Sequence, residues 1–594
     1  IMSSDWSSDV CSSDLGIAWE VARARRREWR SRRRRALGIE VCSEERLFRS
    51  MGVSNRTAAL AKMRSAGRAR CRGEAPLCGC IASRLWDFAS SMGGHVLRDA
   101  DRICRHEFDL LGSGPSVLGP EIDWHRDFKS GHRWDSKTRH NDVPIMANTP
   151  GADIKMVWEL SRFHQAVTLG KAYWIADCGL QNAESLRGQG EGGRTQAAAG
   201  IEDASDITRP ATPDTRRRPT ASFHGEQYAQ EFADEFVSWH DSNPVGFGAN
   251  WVCTMEVAIR ALNLVCGWFL MRDSVAWTEE LDIRFLCSIV EHGEHIAVNL
   301  EIPFDRRTTN HYVSDIVGLA HLGALFPYLE QASGWRRVGV GELIREMDRQ
   351  VLPDGVDYES SVSYHRLVTE LFTSAALLCR LNAVELPFTF WSRLEKMFEF
   401  VLHYTRPDGL APQVGDVDDG RLHILADYGD WDRRDHRYLL AIGAELFDRP
   451  DFAAAAGDRW EEAFWLFGGR LKYGSMGVWE YGSGEQEAET ADRRESEELS
   501  VIGYQLSGDA ENEKAQTLAA EESSNAAASH SRTPTRAHVD TPTLPSRAFR
   551  DSGFYIMRSG NRYMLINANP VGTRGVGNHK HNDLLSFELY AGRP

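Results

Sequence analysis

A helical domain followed by an antiparallel β domain is the architecture this sequence predicts, and three observations predict it. Aromatic and aliphatic residues recur at three- and four-residue spacing through most of the middle of the chain, the period of amphipathic helices. Near residue 465 that period gives way to alternation of apolar and polar residues, the pattern of half-buried strands. The chain has 594 residues. Single cores stop growing near roughly 250–300 residues, so more than one domain is expected.

The helical periods run over 156–174, 228–240, 252–271, 281–300, 311–329, 340–351, 365–381, 388–404 and 438–446, joined by short loops carrying Pro or Gly. A chain of helical hairpins closing into an arc or toroid buries such faces, and so does a bundle. Two segments interrupt the pattern. Residues 179–224, rich in Gly, Gln, Ala, Thr and Arg, and residues 483–545, rich in Glu, Ala, Ser and Thr, lack apolar periodicity and read as disordered insertions. After the second, SGFYIMRSGNRYMLINANP reads as two strands joined by Ser-Gly-Asn, and NDLLSFELYAG as another.

The ends differ from this body. The chain starts at Ile1, and residues 3–14 repeat Ser-Ser-Asp without amphipathic period, which resembles a translated sequencing adapter. Residues 23–35, RARRREWRSRRRR, form a dense Arg block of a kind that can hold RNA or an anionic membrane but more often is a solvated, disordered tail. Residues 1–95 are therefore expected to be disordered or artefactual, with the helical domain over 96–465 and the β domain over 466–594. SFELYAGRP alternates as a strand does and then stops, so the chain is expected to be a fragment truncated inside its last domain. No secretory signal is legible.

Composition limits the function. Hydrophobic residues make up 42% and charged residues 26%, an ordinary globular balance, and the best apolar run, 261–271, is short, so a soluble protein with no membrane span is expected. A net charge of −16 argues against the broad basic surface that nucleic-acid binding needs. Eleven cysteines without a repeating interval predict mostly free thiols and no disulfide framework.

Three segments concentrate polar groups beyond what packing asks for. In TTNHYVSD (308–315), Asn310 is a natural N-cap for the helix that follows, whereas His311 is not explained by capping. In DGVDYESSVSYHR (354–366), Glu359, Ser363, Tyr364 and His365 crowd into a helix entry; alone, a Tyr-His pair is more often a half-buried helix face than a site. In GNHKHND (577–583), strand geometry would put His579, His581 and Asp583 on one face, suggesting a metal or a proton relay. His-x-His supplies only two ligands, and zinc usually takes at least three from protein.

These segments, together with ADRICRHEFDLLGSG (100–114), IDWHRDFKSGHRW (122–134), VWELSRFHQAVTLGKAYW (157–174), NWVCTMEVAIRALN (250–263), PQVGDVDDGR (412–421) and GNHKHNDLLSFELY (577–590), resemble the heparinase II/III family of polysaccharide lyases. The resemblance runs from about residue 100 to the end, minus the two insertions. It implies an N-terminal α/α toroid, an incomplete barrel of helical hairpins, followed by an antiparallel β-sandwich. It also implies β-elimination at a uronic acid of an anionic polysaccharide: heparan-type, alginate or bacterial exopolysaccharide. In that chemistry a base removes the proton α to the carboxylate, an acid protonates the leaving sugar oxygen, and donors must hold the dianion-like intermediate.

By this resemblance Asn310 hydrogen-bonds the substrate carboxylate, and His311 adds a donor or acts as base for one C5 epimer. Tyr364 is the acid and in some members also the base, helped by His365, Arg366 and Arg306. His579 is the imidazole contributed by the sandwich. His581 matches a position that in some relatives binds a structural zinc; no cofactor is otherwise implied. Glu159, Arg162, Asn250, Trp251, Arg306, Glu359, His365 and Asp416 are expected to line the groove, with Trp251 stacking on a sugar and Arg162 pairing with a carboxylate or sulfate. Arg162, Arg260, Arg306 and Arg366 should face one groove. Family habit points to the periplasm or the cell exterior. Two other readings fit the same residues: a non-catalytic polysaccharide-binding protein, and a glycoside hydrolase using Glu359 and Asp416.

Overall fold

The structure is a computed structural model that describes residues 40–63, 94–176, 225–303, 305–417, 420–429, 432–469, 471–473, 544–577 and 579–592. The Arg block, the 179–224 insertion and nearly all of the 483–545 insertion lie outside the described residues. The described residues fall in one compact unit, mostly helical, with a small antiparallel sheet near the C-terminus.

Part of the 1–95 segment departs from the expectation of disorder. Helix α1 (Glu44–Met51) is capped by Ser43, whose side chain accepts from Arg46 N, and ends at Gly52 in left-handed backbone. It is docked: Leu47 and Met51 are buried, Cys42 N–H donates to Glu291 (2.8 Å), and Arg46 pairs with both oxygens of Glu294 (2.7 and 2.8 Å). Its apolar stripe was hidden in the sequence behind the dense charge on either side.

The first long helical period is broken in two. Helix α2 (Ile154–Ser161) stops at Arg162, Phe163 adopts φ +58, and the chain is helical again over 164–176. The turn places Phe163 in the core, stacked on Trp124 at 5.4 Å and edge-on to Trp239. Period analysis cannot see such a break, because apolar spacing persists across it.

The other periods appear as helices: α3 (Glu226–Ser242), α4 (Thr254–Met271), α5 (Glu279–Val298), α6 (Asn310–Leu325), α7 (Ala332–Gln350), α8 (Val362–Leu381), α9 (Phe388–Tyr404) and α10 (Arg437–Phe447); most keep their expected limits within about three residues, but α6 stops four residues short of 329 and α7 starts eight residues before 340. Two short helices that the sequence reading did not separate, α11 (Pro450–Ala456) and α12 (Glu461–Leu466), follow. Among the described residues, α4 alone is long and apolar enough to cross a membrane, and 89% of its apolar window is buried within the protein, as in a core helix. The six described cysteines are free thiols.

The strands begin with a two-residue pair, β1 (Glu107–Phe108) with β2 (Ser116–Val117). The main sheet is antiparallel in the order β3 (Arg547–Phe549), β4 (Phe554–Ser559), β5 (Arg562–Asn567), β6 (Ser586–Tyr590). Gly560 and Asn561 close the β4–β5 hairpin between paired Ser559 and Arg562. One face is apolar and covered: Phe554, Ile556, Tyr563 and Leu565 join Leu367, Phe400 and Tyr404 in a common core, and the Tyr563 hydroxyl donates to Tyr404 O (2.9 Å). Packing the sheet on α8 and α9 brings the β5–β6 connection over the entry to α8, where the site forms.

Candidate active site

Three segments far apart in sequence meet at the start of α8. Ser361 caps that helix by accepting from Tyr364 N (3.3 Å), and its hydroxyl donates to Asp416 O (2.8 Å). The Asp416 N–H in turn donates to His579 O (2.8 Å). This close approach depends on Gly415, at φ +73: a Cβ there would lie 2.6 Å from His579 O and 2.8 Å from the Ser361 Cβ. Asp583 accepts from Gly415 N–H (2.7 Å), tying down the same loop.

The central contact is aromatic. The Tyr364 ring lies on the His579 ring with centroids 3.7 Å apart and planes 21° apart. His579 Nδ1 faces Asp416 (2.8 Å) and Nε2 faces Glu359 (3.3 Å), so two carboxylates fix the ring from opposite edges. Glu359 is fully buried and also accepts from Asn310 N (2.6 Å) and Asn310 Nδ2 (3.1 and 3.2 Å). Burial pushes its carboxyl above the usual range, against the opposing pull of His579 and Asn310.

Tyr364, His311 and His579 line one cavity of about 170 Å³ with Trp158, Glu159, Arg162, Lys155 and Glu256. A wider cavity of about 570 Å³ adjoins it, with His311 and His579 common to both walls and Glu301, Thr309 and His140 on the far side. His311 Nδ1 meets the Glu301 carboxylate, and Cys253 Sγ lies 3.7 Å from the same nitrogen. Burial opposes its charge, but the Cys253 sulfur and the Glu301 carboxylate hold His311 well above the ordinary histidine range.

The expected site residues thus divide. Tyr364, His311, His579, Glu159 and Arg162 line the cavity, and Asp416 holds His579. Asn310 does not cap α6: Thr309 stands at the N-cap position and Asn310 is the first helical residue. Its amide donors are committed to Glu359 and the side chain is fully buried, so in this structure it organises the site from beneath. Glu359 likewise stands behind His579 rather than in the cavity wall.

Asn250 and Trp251 are core residues. Asn250 donates to Trp124 O and Asn243 Oδ1, and Trp251 is 1% exposed among Trp239, His292, His295 and Arg260. The half-buried indole that does line the cavity is Trp158, in the same motif as Glu159. His365 points the other way along α8, against Phe400 and Tyr404; burial pushes it down to about 4, so it is neutral and supplies no cation to Tyr364.

The four arginines do not share a groove. Arg260 is buried between Trp239 and Trp251, Arg366 donates to Gly420 O and Arg433 O inside the protein, and Arg306 is exposed on the loop before α6. Only Arg162 reaches the cavity, paired with both oxygens of Glu256 (2.6 and 2.8 Å) and with Glu159 (2.5 Å). The other cationic groups in the cavity wall are Lys155 and His311, the latter paired with Glu301.

Residues 579–582 form a turn and not a strand: His581 has φ +58, is largely exposed and reaches Asp416. Both histidines still converge, but through one carboxylate rather than through a pleated face. Among the described residues, the groups arranged to hold a metal ion are Cys253–Glu301–His311 and His95–Asp427–Glu461, neither of which includes His581. Glu301 carried no sequence signal for the site, and Cys253 and Glu256, although inside the 250–263 motif, were not singled out, because each lies at the end or start of an ordinary amphipathic helix.

Helices that share a core with an antiparallel sheet, and a polar cavity built from both, define a helix-then-sheet protein whose site needs both parts. Residues 220–433, which carry Asn310, His311, Glu359, Tyr364 and Asp416, match the heparinase II/III N-terminus, and residues 541–594, which carry His579 and His581, match the heparinase II/III-like C-terminal module. The two matches take in both parts of the fold that build the cavity, so the chain is similar to heparinase II/III-like proteins at its helical and its sheet module. It is 24% identical over 231 residues to a heparin-sulfate lyase of Bacteroides stercoris, an overlap of 35% of this chain and 34% of that one. Against a heparin-sulfate lyase of Pedobacter heparinus it is 25% identical over 217 residues, 35% of this chain and 32% of that one. The matched stretch thus spans about a third of these relatives. A solved structure of heparinase III superposes with a TM-score of 0.50 at 16% identity, covering 92% of this chain and 63% of that one, a likeness of fold.

Proposed function

We propose that this protein is a polysaccharide lyase that cleaves a uronate-containing polymer of the heparin or heparan sulfate type by β-elimination. The observation that carries the reading is the stack of Tyr364 on His579 in the wall of a cavity that also contains His311. A phenol and two imidazoles around one sugar-sized space are the acid, base and donor groups that the elimination requires. The named relatives favour the heparan-type polymer over alginate or exopolysaccharide.

In this reading the uronate carboxylate faces His311, which Glu301 keeps cationic; an imidazolium neutralises the carboxylate and lowers the cost of the enolate-like state. That charge also removes His311 as a base near neutrality. Tyr364 delivers its phenolic proton to the glycosidic oxygen, and Tyr364 or His579 takes the C5 proton. Glu359 and Asp416 hold His579, and Asn310 holds Glu359. Trp158 offers the sugar an apolar face. The helical body is read as an α/α toroid, the sheet as part of a β-sandwich, and the site of action as the periplasm or the cell exterior.

The test is incubation of the full-length protein with heparan sulfate, heparin, alginate and a non-uronate control while near-ultraviolet absorbance is followed. Rising absorbance with heparan-type chains, from the new C4–C5 double bond, is expected. Release of reducing ends without that absorbance would indicate hydrolysis, and binding without either would indicate a non-catalytic protein.

A further inference from the structure

We infer that Cys253, Glu301 and His311 form a binding site for a Zn²⁺-class divalent cation in the wall of the larger cavity. The three side chains come from separate places: the residue before α4, the loop after α5 and the first turn of α6. They offer a thiol sulfur, a carboxylate oxygen and an imidazole nitrogen, all within 4.8 Å of one another. Metal–ligand bonds of roughly 2.0–2.3 Å in a tetrahedron put ligand atoms roughly 3.3–3.8 Å apart. Cys253 Sγ and His311 Nδ1, at 3.7 Å, already have that separation, whereas the Glu301 oxygen is hydrogen-bonded to the same nitrogen and must move outward as the ring proton leaves.

The surroundings fit a metal site as well. Thr254 N–H donates to Glu301 Oε1 (2.7 Å) and leaves Oε2 toward His311, and Glu301 N–H is itself held by Asp315 (2.7 Å). Such outer partners orient a ligating carboxylate before any ion arrives. Glu301 and His311 both line the 570 Å³ cavity, so a fourth position is open to water or to a substrate oxygen. A mixed sulfur, nitrogen and oxygen set favours Zn²⁺ over Mg²⁺ or Ca²⁺, which prefer oxygen alone. The second cluster, His95–Asp427–Glu461, is weaker because the Lys171 ammonium, 2.8 Å from Glu461, would repel a cation bound there.

On binding, the cation takes the thiolate of Cys253, one oxygen of Glu301 and the Nδ1 lone pair of His311; the thiol proton and the ring N–H proton pass to solvent. A bound cation and the imidazolium role given to His311 above exclude each other, since a metal-bound Nδ1 carries no proton, and the test of the site needs no turnover. Chelator-treated full-length protein is titrated with Co²⁺, a spectroscopic substitute for Zn²⁺. A near-ultraviolet thiolate-to-cobalt band that saturates at an equimolar ratio is expected, lost in Cys253→Ser and kept in Cys287→Ser. Absence of the band in the unmodified chain, or its persistence in Cys253→Ser, overturns the site. If circular dichroism shows that Cys253→Ser does not fold, alkylation of Cys253 in the unmodified chain decides: slowing by Zn²⁺ supports the site, and equal labelling with and without Zn²⁺ overturns it.

Discussion

The imidazole of His579 lies flat on the phenol of Tyr364, 3.7 Å between ring centroids, although 214 residues of sequence separate them. One ring is fixed by the first turn of α8 and the other by Asp416 and Glu359, so each part of the fold supplies half of the pair.

Tyr364→Phe keeps the ring and its stack and removes only the hydroxyl. Turnover should fall by roughly 10²–10⁴-fold, the usual range for loss of a general acid or base, with the melting temperature nearly unchanged. Initial rates of unsaturated-product absorbance measure this; wild-type-like turnover would remove Tyr364 from the mechanism.

The charge on His311 predicts an alkaline limit on substrate binding. Its folded-state pKa is raised, so the stability gained from the Glu301 pair is fully present below about 6.5 and is lost as pH rises through the folded value. KM should therefore rise on the alkaline side. Glu301→Gln, which removes the opposing charge, should move that rise to lower pH. A pH–KM profile identical in the two proteins would contradict the role given to His311.

Glu359→Gln replaces an acceptor by a group whose amide N–H faces other donors. Breaking this buried network should cost about 1–3 kcal/mol of stability. It should also lower kcat more than it raises KM, because His579 and Asn310 lose their common anchor. Denaturant unfolding and steady-state kinetics separate the two effects; a change in KM alone would mean that Glu359 touches substrate instead.

The two tryptophans of neighbouring motifs should behave oppositely. Trp251→Ala opens a cavity among Trp239, His292 and Arg260 and should destabilise by about 3–5 kcal/mol. Trp158→Ala removes a face of the substrate cavity: about 0.5–1.5 kcal/mol of aromatic contact corresponds to a rise in KM of roughly two- to tenfold. Equal effects of both substitutions on KM at equal stability would show that the assignment of these indoles is mistaken.

The sequence by itself determined the order of helices and strands, since the 3.6- and 2-residue periods are local properties of the chain. It also determined which segments hold Tyr364, His311 and His579, because polar clusters at helix entries and between strands stand out against apolar periods, whereas Asp416 entered only through the family resemblance. Only the tertiary structure decided which members of those segments face the cavity. Tyr364 and His365 are adjacent, yet one lines the cavity and the other lies in the core, because successive residues on a helix point about 100° apart and the sequence does not say what each face packs against. For the same reason Trp251 was indistinguishable from Trp158, and the break at Phe163 was invisible. The pairing of His311 with Glu301 and Cys253 is likewise a product of three elements meeting, which no spacing along the chain encodes.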